Sequence, residues 1–235
     1  MNKFIDFVLD AIFPPNIKCL VCAEDLNKDT KYCICDECME KLPFVTGTVC
    51  AKCGVPIRDM GKYCINCKSN SHIFSKNECV FEYIPPISTL VKNLKFNGKK
   101  YIGYTLSNFV ASKVIESGRK YDMVLPVPMH ADRLKERGFN HAELLCKTLK
   151  DLGMDVRTDV LIKSVNTKSQ ASLKRSERLA NLKDSFKVAD KSAVENKTIL
   201  LVDDVITTGS TLDECAEVLL KAGAFKVYSV TLTHA

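Results

Sequence analysis

Apolar positions along this chain change period several times, and the changes mark out a fold. Residues 199–202, Ile-Leu-Leu-Val, are an unbroken run rich in branched side chains, as in a parallel strand covered on both faces. After two aspartates and a small, hydroxylated stretch the spacing becomes helical, with Leu212, Cys215, Ala216, Leu219 and Ala222 on one face and Gly223 as the stop. Upstream, Phe81-Glu82-Tyr83 predicts a strand that Pro85-Pro86 breaks. A helix follows with Ile87, Leu90, Val91 and Leu94 on one face and Lys92 and Lys95 on another, and a second over 101–117 carries Leu106, Phe109, Val110 and Val114. Val124, Leu125 and Val127 mark a buried strand ended by Pro126 and Pro128, and Asn140 with Glu143 caps a helix running to about Leu152. Residues 226–233 supply a last strand. This alternation predicts an α/β domain, a parallel sheet with helices on both faces.

The N-terminal third reads differently. Nine of the twelve cysteines lie between Cys19 and Cys67, and eight fall into C-x-x-C pairs: Cys19 with Cys22, Cys35 with Cys38, Cys50 with Cys53, and Cys64 with Cys67. Two residues between thiolates let both sulfurs reach one metal, and two such knuckles complete a tetrahedral four-thiolate site. Four pairs imply two zinc ions, held structurally because every coordination position is closed. Adjacent pairing gives successive ribbons and interleaved pairing a cross-brace; spacing does not choose between them, and Cys33 stands two residues before Cys35 as a substitute ligand. A disulfide framework needs an oxidising compartment, and the N-terminal residues argue against export: Lys3 is the only early basic residue, and Asp6 and Asp10 interrupt the apolar stretch 4–13. Cys79, Cys146 and Cys215 lie outside the cluster and read as packing residues.

At 235 residues the chain suits one zinc module plus an α/β domain of about 155 residues, and we divide it into a helical segment 1–16 that docks on the protein, a cysteine-rich module 17–79 and an α/β domain 80–235. No apolar run approaches the roughly 20 residues of a membrane span, so a cytoplasmic protein is expected, with no membrane insertion. The formal charge is +6, but two four-thiolate zinc sites at about −2 each leave about +2, so global basicity says little about nucleic acid. One segment is basic on its own account: between Leu161 and Lys191 eight Lys or Arg face three acids, a net of +5.

Chemistry concentrates at residues 203–211. Asp203 and Asp204 close the apolar strand, where ligands bind in open α/β sheets, and a carboxylate can accept from both vicinal hydroxyls of a ribose. Thr207, Thr208, Gly209, Ser210 and Thr211 form a small-residue turn whose N–H groups can converge on a phosphate at a helix N-terminus. No G-x-x-x-x-G-K-[ST] or G-x-G-x-x-G occurs, so a Walker or Rossmann site has no phosphate loop.

Residues 198–211 closely resemble the phosphoribosyl-pyrophosphate (PRPP) loop of type I phosphoribosyltransferases. With the four C-x-x-C pairs, Tyr83, Leu94-Lys95-Phe96, Gly98, Val127-Pro-Met-His130, the stretch from Arg133 to Leu144, Ser169-Gln170, Arg178, Asn181 and Phe186, the chain resembles the ComF family, linked to natural competence and DNA uptake. Its members join a double zinc-ribbon-like module to a phosphoribosyltransferase-type domain. Where that family often has glutamine after Asn140, this chain has His141. The resemblance implies that Asp203 and Asp204 hold the ribose hydroxyls as the catalytic pair, that residues 207–211 hold the 5′-phosphate, and that Mg2+ arrives with PRPP. It implies a pyrophosphate loop at Pro128, Met129, His130, Arg133 and Arg137, and a mobile loop over 166–186 bringing Lys174, Arg175 and Arg178.

A transferase of this kind neutralises a leaving pyrophosphate, fixes the ribose and excludes water, with no covalent nucleophile. The acceptor is not legible. Because the sequence ends just after its last strand, the zinc module or residues 84–98 are expected to cover the site. The alternative is a non-catalytic PRPP sensor or adaptor whose zinc module binds single-stranded DNA or a protein of the uptake machinery.

Overall fold

A computed structural model describes residues 18–27, 30, 32–57, 61–165 and 185–235. The helical segment expected over 1–16 and the basic residues Lys174, Arg175 and Arg178 lie outside them. Within the cysteine-rich part are two short helices, α1 (Asp36–Glu40) and α2 (Ile65–Ser69). Then come β1 (Asn77–Glu82), α3 (Ile87–Phe96), α4 (Lys100–Glu116), β2 (Met123–Pro126), α5 (Ala131–Arg137), α6 (His141–Leu145), α7 (Lys147–Asp151), β3 (Leu161–Lys163), β4 (Phe186–Val188), β5 (Thr198–Ile206), α8 (Ser210–Lys221) and β6 (Lys226–His234).

Four strands make a parallel sheet in the order β1-β6-β5-β2, with Ile199 opposite Met123 on one side and Val227 on the other. Alternation along β5 divides the core. Leu200 and Val202 face a layer built by α3, α4, α6 and α7, whereas Ile199 and Leu201 face α8. The predicted helices on both faces are there, though unequally shared.

Several elements depart from the pattern-based expectation. The strand expected to close at Asp203 and Asp204 continues through them to Ile206, still paired with β6 at His234. The helix capped by Asn140 is divided at Cys146, whose N–H donates to Glu143 C=O instead of continuing the α-helical ladder; the Asn140 side chain accepts from Ala142 N–H. The basic stretch after β2 is helical (α5), with no apolar period to announce it, since Leu134 is exposed. And β3 and β4 pair antiparallel beside the main sheet, too short to show alternation.

The cysteine-rich module straddles the edge of the sheet. β1 would otherwise be an open edge, but Val45 N–H donates to Val80 C=O and Glu82 N–H to Pro43 C=O, both at 2.9 Å. Covering an edge in this way removes a strand-pairing template. The first half of the module sends Cys19, Ile34, Cys38 and Leu42 into the α3–α4 side of the core; the second sends Cys50 and Cys53 into the α8 side.

Candidate functional site

Each half of the module is the same small device. A hairpin bridged at Lys18 and Asp25 carries Cys19 and Cys22, and one bridged at Val49 and Pro56 carries Cys50 and Cys53. Ala23 N–H returns to Cys19 C=O and Gly54 N–H to Cys50 C=O, each at 3.0 Å. The partner knuckles sit at helix starts, with Cys35 preceding α1 and Cys64 preceding α2. The pairing left open by spacing is therefore sequential: Cys19, Cys22, Cys35 and Cys38 form one cluster, and Cys50, Cys53, Cys64 and Cys67 the other, with all sulfurs of a cluster within 4.8 Å of one another. Cys33 is not a member; its carbonyl accepts from Leu20 N–H at 2.8 Å.

The clusters fit zinc. Tetrahedral Zn–S bonds of about 2.3 Å separate sulfurs by about 3.8 Å, and Cys22 and Cys35 stand 3.8 Å apart, Cys53 and Cys64 3.6 Å. Burial raises the Cys19 thiol, but the N–H groups of Cys22, Cys35 and Val21 outweigh it and bring it to about 6. Cys50 is lowered to about 6 in the same way by Cys53, Cys64 and Lys52. Burial and the crowding sulfurs push Cys38 and Cys53 up. Four thiolates so close together require a cation between them. The three outlying cysteines are buried packing residues; burial pushes Cys79 up to about 12 and raises Cys146 and Cys215 as well.

A cavity of about 370 Å³ opens at the carboxyl ends of β2 and β5. Asp203, Asp204, Thr207 and Thr211 line it from β5 and the following turn, and Pro128, Met129, His130, Arg133 and Arg137 line it from the loop after β2 and from α5. Asn140 ties these walls together, donating from Nδ2 to Val127 C=O at 3.0 Å. Thr208, Gly209 and Ser210 lie behind the lining, with Gly209 in the left-handed conformation (φ +79°) and the Thr208 and Ser210 hydroxyls 2.8 Å apart.

Strand alternation sends the two aspartates to opposite faces of the sheet end. Asp204 turns toward α3, where its Oδ2 lies 2.8 Å from Lys95 Nζ. Asp203 turns toward α8; burial first, then the charge of Asp204, raise it to about 7, against the pull of Lys95 and Lys163. Lys163 is itself lowered by burial and by Arg133. His141 is buried beneath Arg137, whose Nη1 is 3.3 Å from its Nε2. Burial brings it down to about 4; Asp204 opposes the shift and the charges of Arg137 and Lys95 add to it. A neutral imidazole can accept from Arg137 and so aim the guanidinium at the cavity.

Tyr83, Lys95, Lys163 and His141 enter the lining without any role read from sequence. Of the two expected covers, residues 84–98 reach the cavity through Lys95, and no described residue of the zinc module lines it. Among the described residues no helix is long and apolar enough to cross a membrane.

A family model of the double zinc ribbon domain matches residues 8–68, and one of the phosphoribosyl transferase domain matches residues 103–234. Competence protein F of Haemophilus influenzae is 29% identical over 219 residues, covering 90% of this chain and 94% of that protein. DNA utilization protein YhgH of Escherichia coli K12 is 32% identical over 200 residues, with 83% and 87% covered. Competence protein ComFC of Bacillus subtilis is 30% identical over 234 residues, with 91% and 93% covered.

Proposed function

The chain belongs to the ComF family, a double zinc ribbon joined to a phosphoribosyltransferase domain, and from that premise we propose that it binds PRPP with Mg2+ in the cavity between β2 and β5. The observation that carries this reading is the meeting of two carboxylates of β5, just past the point where β2 stops, with Thr207 and Thr211 of the following turn and four cations, Lys95, Arg133, Arg137 and Lys163, around one opening. Asp203 and Asp204 accept from the ribose hydroxyls, and the N–H and hydroxyl groups of residues 207–211 take the 5′-phosphate. Arg133 and Arg137 face the pyrophosphate. Lys95, held by Asp204 in the ligand-free protein, is released toward the same charge when the ribose engages that carboxylate. Mg2+ supplies charge neutralisation on the pyrophosphate, and Asp203, near neutrality in the free site, is the carboxylate that responds most to its arrival. Cations placed where negative charge accumulates on a leaving group serve transfer to an acceptor.

The thiolate sites suit a reducing compartment, so we place the protein in the cytoplasm, and the relatives' names lead us to place it in DNA uptake or utilization. Calorimetry with Mg2+ and PRPP tests the pocket. Wild type binds, Asp203→Asn/Asp204→Asn loses at least tenfold in affinity, and binding that ignores both substitutions refutes the ribose assignment. Pyrophosphate release that depends on an added acceptor separates transferase from sensor.

A further inference from the structure

The turn at residues 207–211 rests on a floor supplied by the zinc module. Beyond Cys67 the chain leaves α2 and residues 70–76 run along the α8 side of the sheet, with Phe74 fully buried and Ser75 N–H donating to Val227 C=O at 2.7 Å. The His72 ring stacks on Phe74, centroids 4.7 Å apart and planes at 22°. The stacked pair meets Gly209: a Cβ built on that glycine would lie 2.6 Å from His72 Cε1, 3.0 Å from His72 Nδ1 and 3.4 Å from Phe74 Cε1. Asp213, in the first turn of α8, fixes the histidine from below, with Oδ2 2.7 Å from His72 Nδ1 and Oδ1 accepting Ile73 N–H at 2.7 Å. The His72 side chain is 3% exposed. A bidentate carboxylate, a stacked ring and a glycine in contact make a rigid stop against a turn in which the Thr208 and Ser210 hydroxyls pair at 2.8 Å and Ser210 N–H reaches Thr208 Oγ1 at 3.4 Å.

We infer that His72 is a positioning residue of the phosphate-binding turn. Pinned by Asp213 and Phe74 against Gly209, it holds the left-handed conformation that aims the turn at a phosphate, and so makes the second zinc ribbon a structural part of the ligand site. This rests on the reading of residues 207–211 as the 5′-phosphate cradle. A site displaced by a fraction of an ångström loses affinity steeply, so a floor built from another module is a route by which that module is felt at the ligand.

His72→Ala, His72→Gln and Asp213→Asn, compared with wild type in the full chain, test this with two readouts: amide hydrogen exchange across residues 207–213 without ligand, and calorimetry with Mg2+ and PRPP. For His72→Ala the expected result is exchange accelerated more in the turn than elsewhere and affinity lower by about tenfold, with zinc content close to wild type and a melting temperature lowered by a few degrees. His72→Gln, which keeps a donor for Asp213, recovers most of the affinity, and Asp213→Asn falls between. Unchanged turn exchange in His72→Ala and Asp213→Asn overturns the inference, as does a wild-type affinity retained despite faster exchange. Should wild type bind no PRPP, the functional reading fails separately, and turn exchange alone then decides the role of His72.

Discussion

The two faces of the sheet each carry one zinc ribbon and one aspartate, and they solve the same problem with different rigidity. On the α8 face the second ribbon is bolted at three places: Asn77 Nδ2 donates to Cys53 C=O at 2.9 Å, Asn77 N–H to Lys52 C=O at 2.8 Å, and His72 is held by Asp213. Its left-handed residue is Gly54, where an added Cβ would stand 2.6 Å from Asn77 C=O. On the opposite face the first ribbon leaves Cys22 exposed and puts Ala23 at the equivalent position with φ 63°. A side chain in that region costs about 1 kcal/mol. One ribbon is therefore part of the frame, and the other stands at its margin with a ligand open to solvent. The aspartates differ in parallel: Asp204 has the Lys95 ammonium at 2.8 Å, whereas the partner at 2.8 Å from Asp203 is the neutral N–H of Asp204.

The contrast breaks most visibly at Gly54. Gly54→Ala combines an impossible backbone contact with a forbidden φ, and a loss of about 3 kcal/mol or more is expected, read as a collapse of the melting temperature together with zinc bound at Cys50, Cys53, Cys64 and Cys67. Next in size is the effect of each metal on the ligand. Cys64→Ser/Cys67→Ser should weaken Mg2+-dependent PRPP binding about tenfold, several times more than Cys35→Ser/Cys38→Ser does; equal losses in calorimetry would erase the distinction between ribbons. The aspartates come third. Asp203, raised to about 7, binds its proton more tightly folded than unfolded, so stability falls as pH rises from about 4 to 7 and the deficit is complete above 7. Asp203→Asn should thus raise the ligand-free melting temperature by about 5 °C at pH 8, a gain that fades toward pH 4. Asp204→Asn leaves Lys95 without its partner and should lower stability by about 1–2 kcal/mol; thermal scans at both pH values check the opposite signs. Smallest is Ala23→Gly, which relieves the left-handed alanine and should slow chelator-driven zinc release from the first ribbon by a few-fold, about 1 kcal/mol.

Elements and metal knuckles written in contiguous residues were readable without coordinates. The β5 run, the two aspartates, the turn and α8 follow one another directly, so local periodicity was enough to place them, and the eight zinc ligands were legible because a knuckle needs only two intervening residues. Pairing between knuckles was not legible, since it depends on how the hairpins close in space. His72 carried no local mark, and Lys95 and Lys163, though noted in a motif and a basic segment, carried no sign of their role: each acquires its neighbour through sheet and helix packing, in the case of His72 and Asp213 across 141 residues. α5 was missed because a helix without an apolar face has no period, and the break at Cys146 because the sequence is helical on both sides of it.

Residues 43–45 close the flank of β1 with main-chain bonds to Val80 and Glu82. Amputating everything before β1 would therefore uncover a raw ladder of donors and acceptors beside Phe81, an invitation to sheet growth from molecule to molecule. The sheet of the phosphoribosyltransferase half thus takes its flank from the metal-bearing half, which makes the two halves one unit of inheritance.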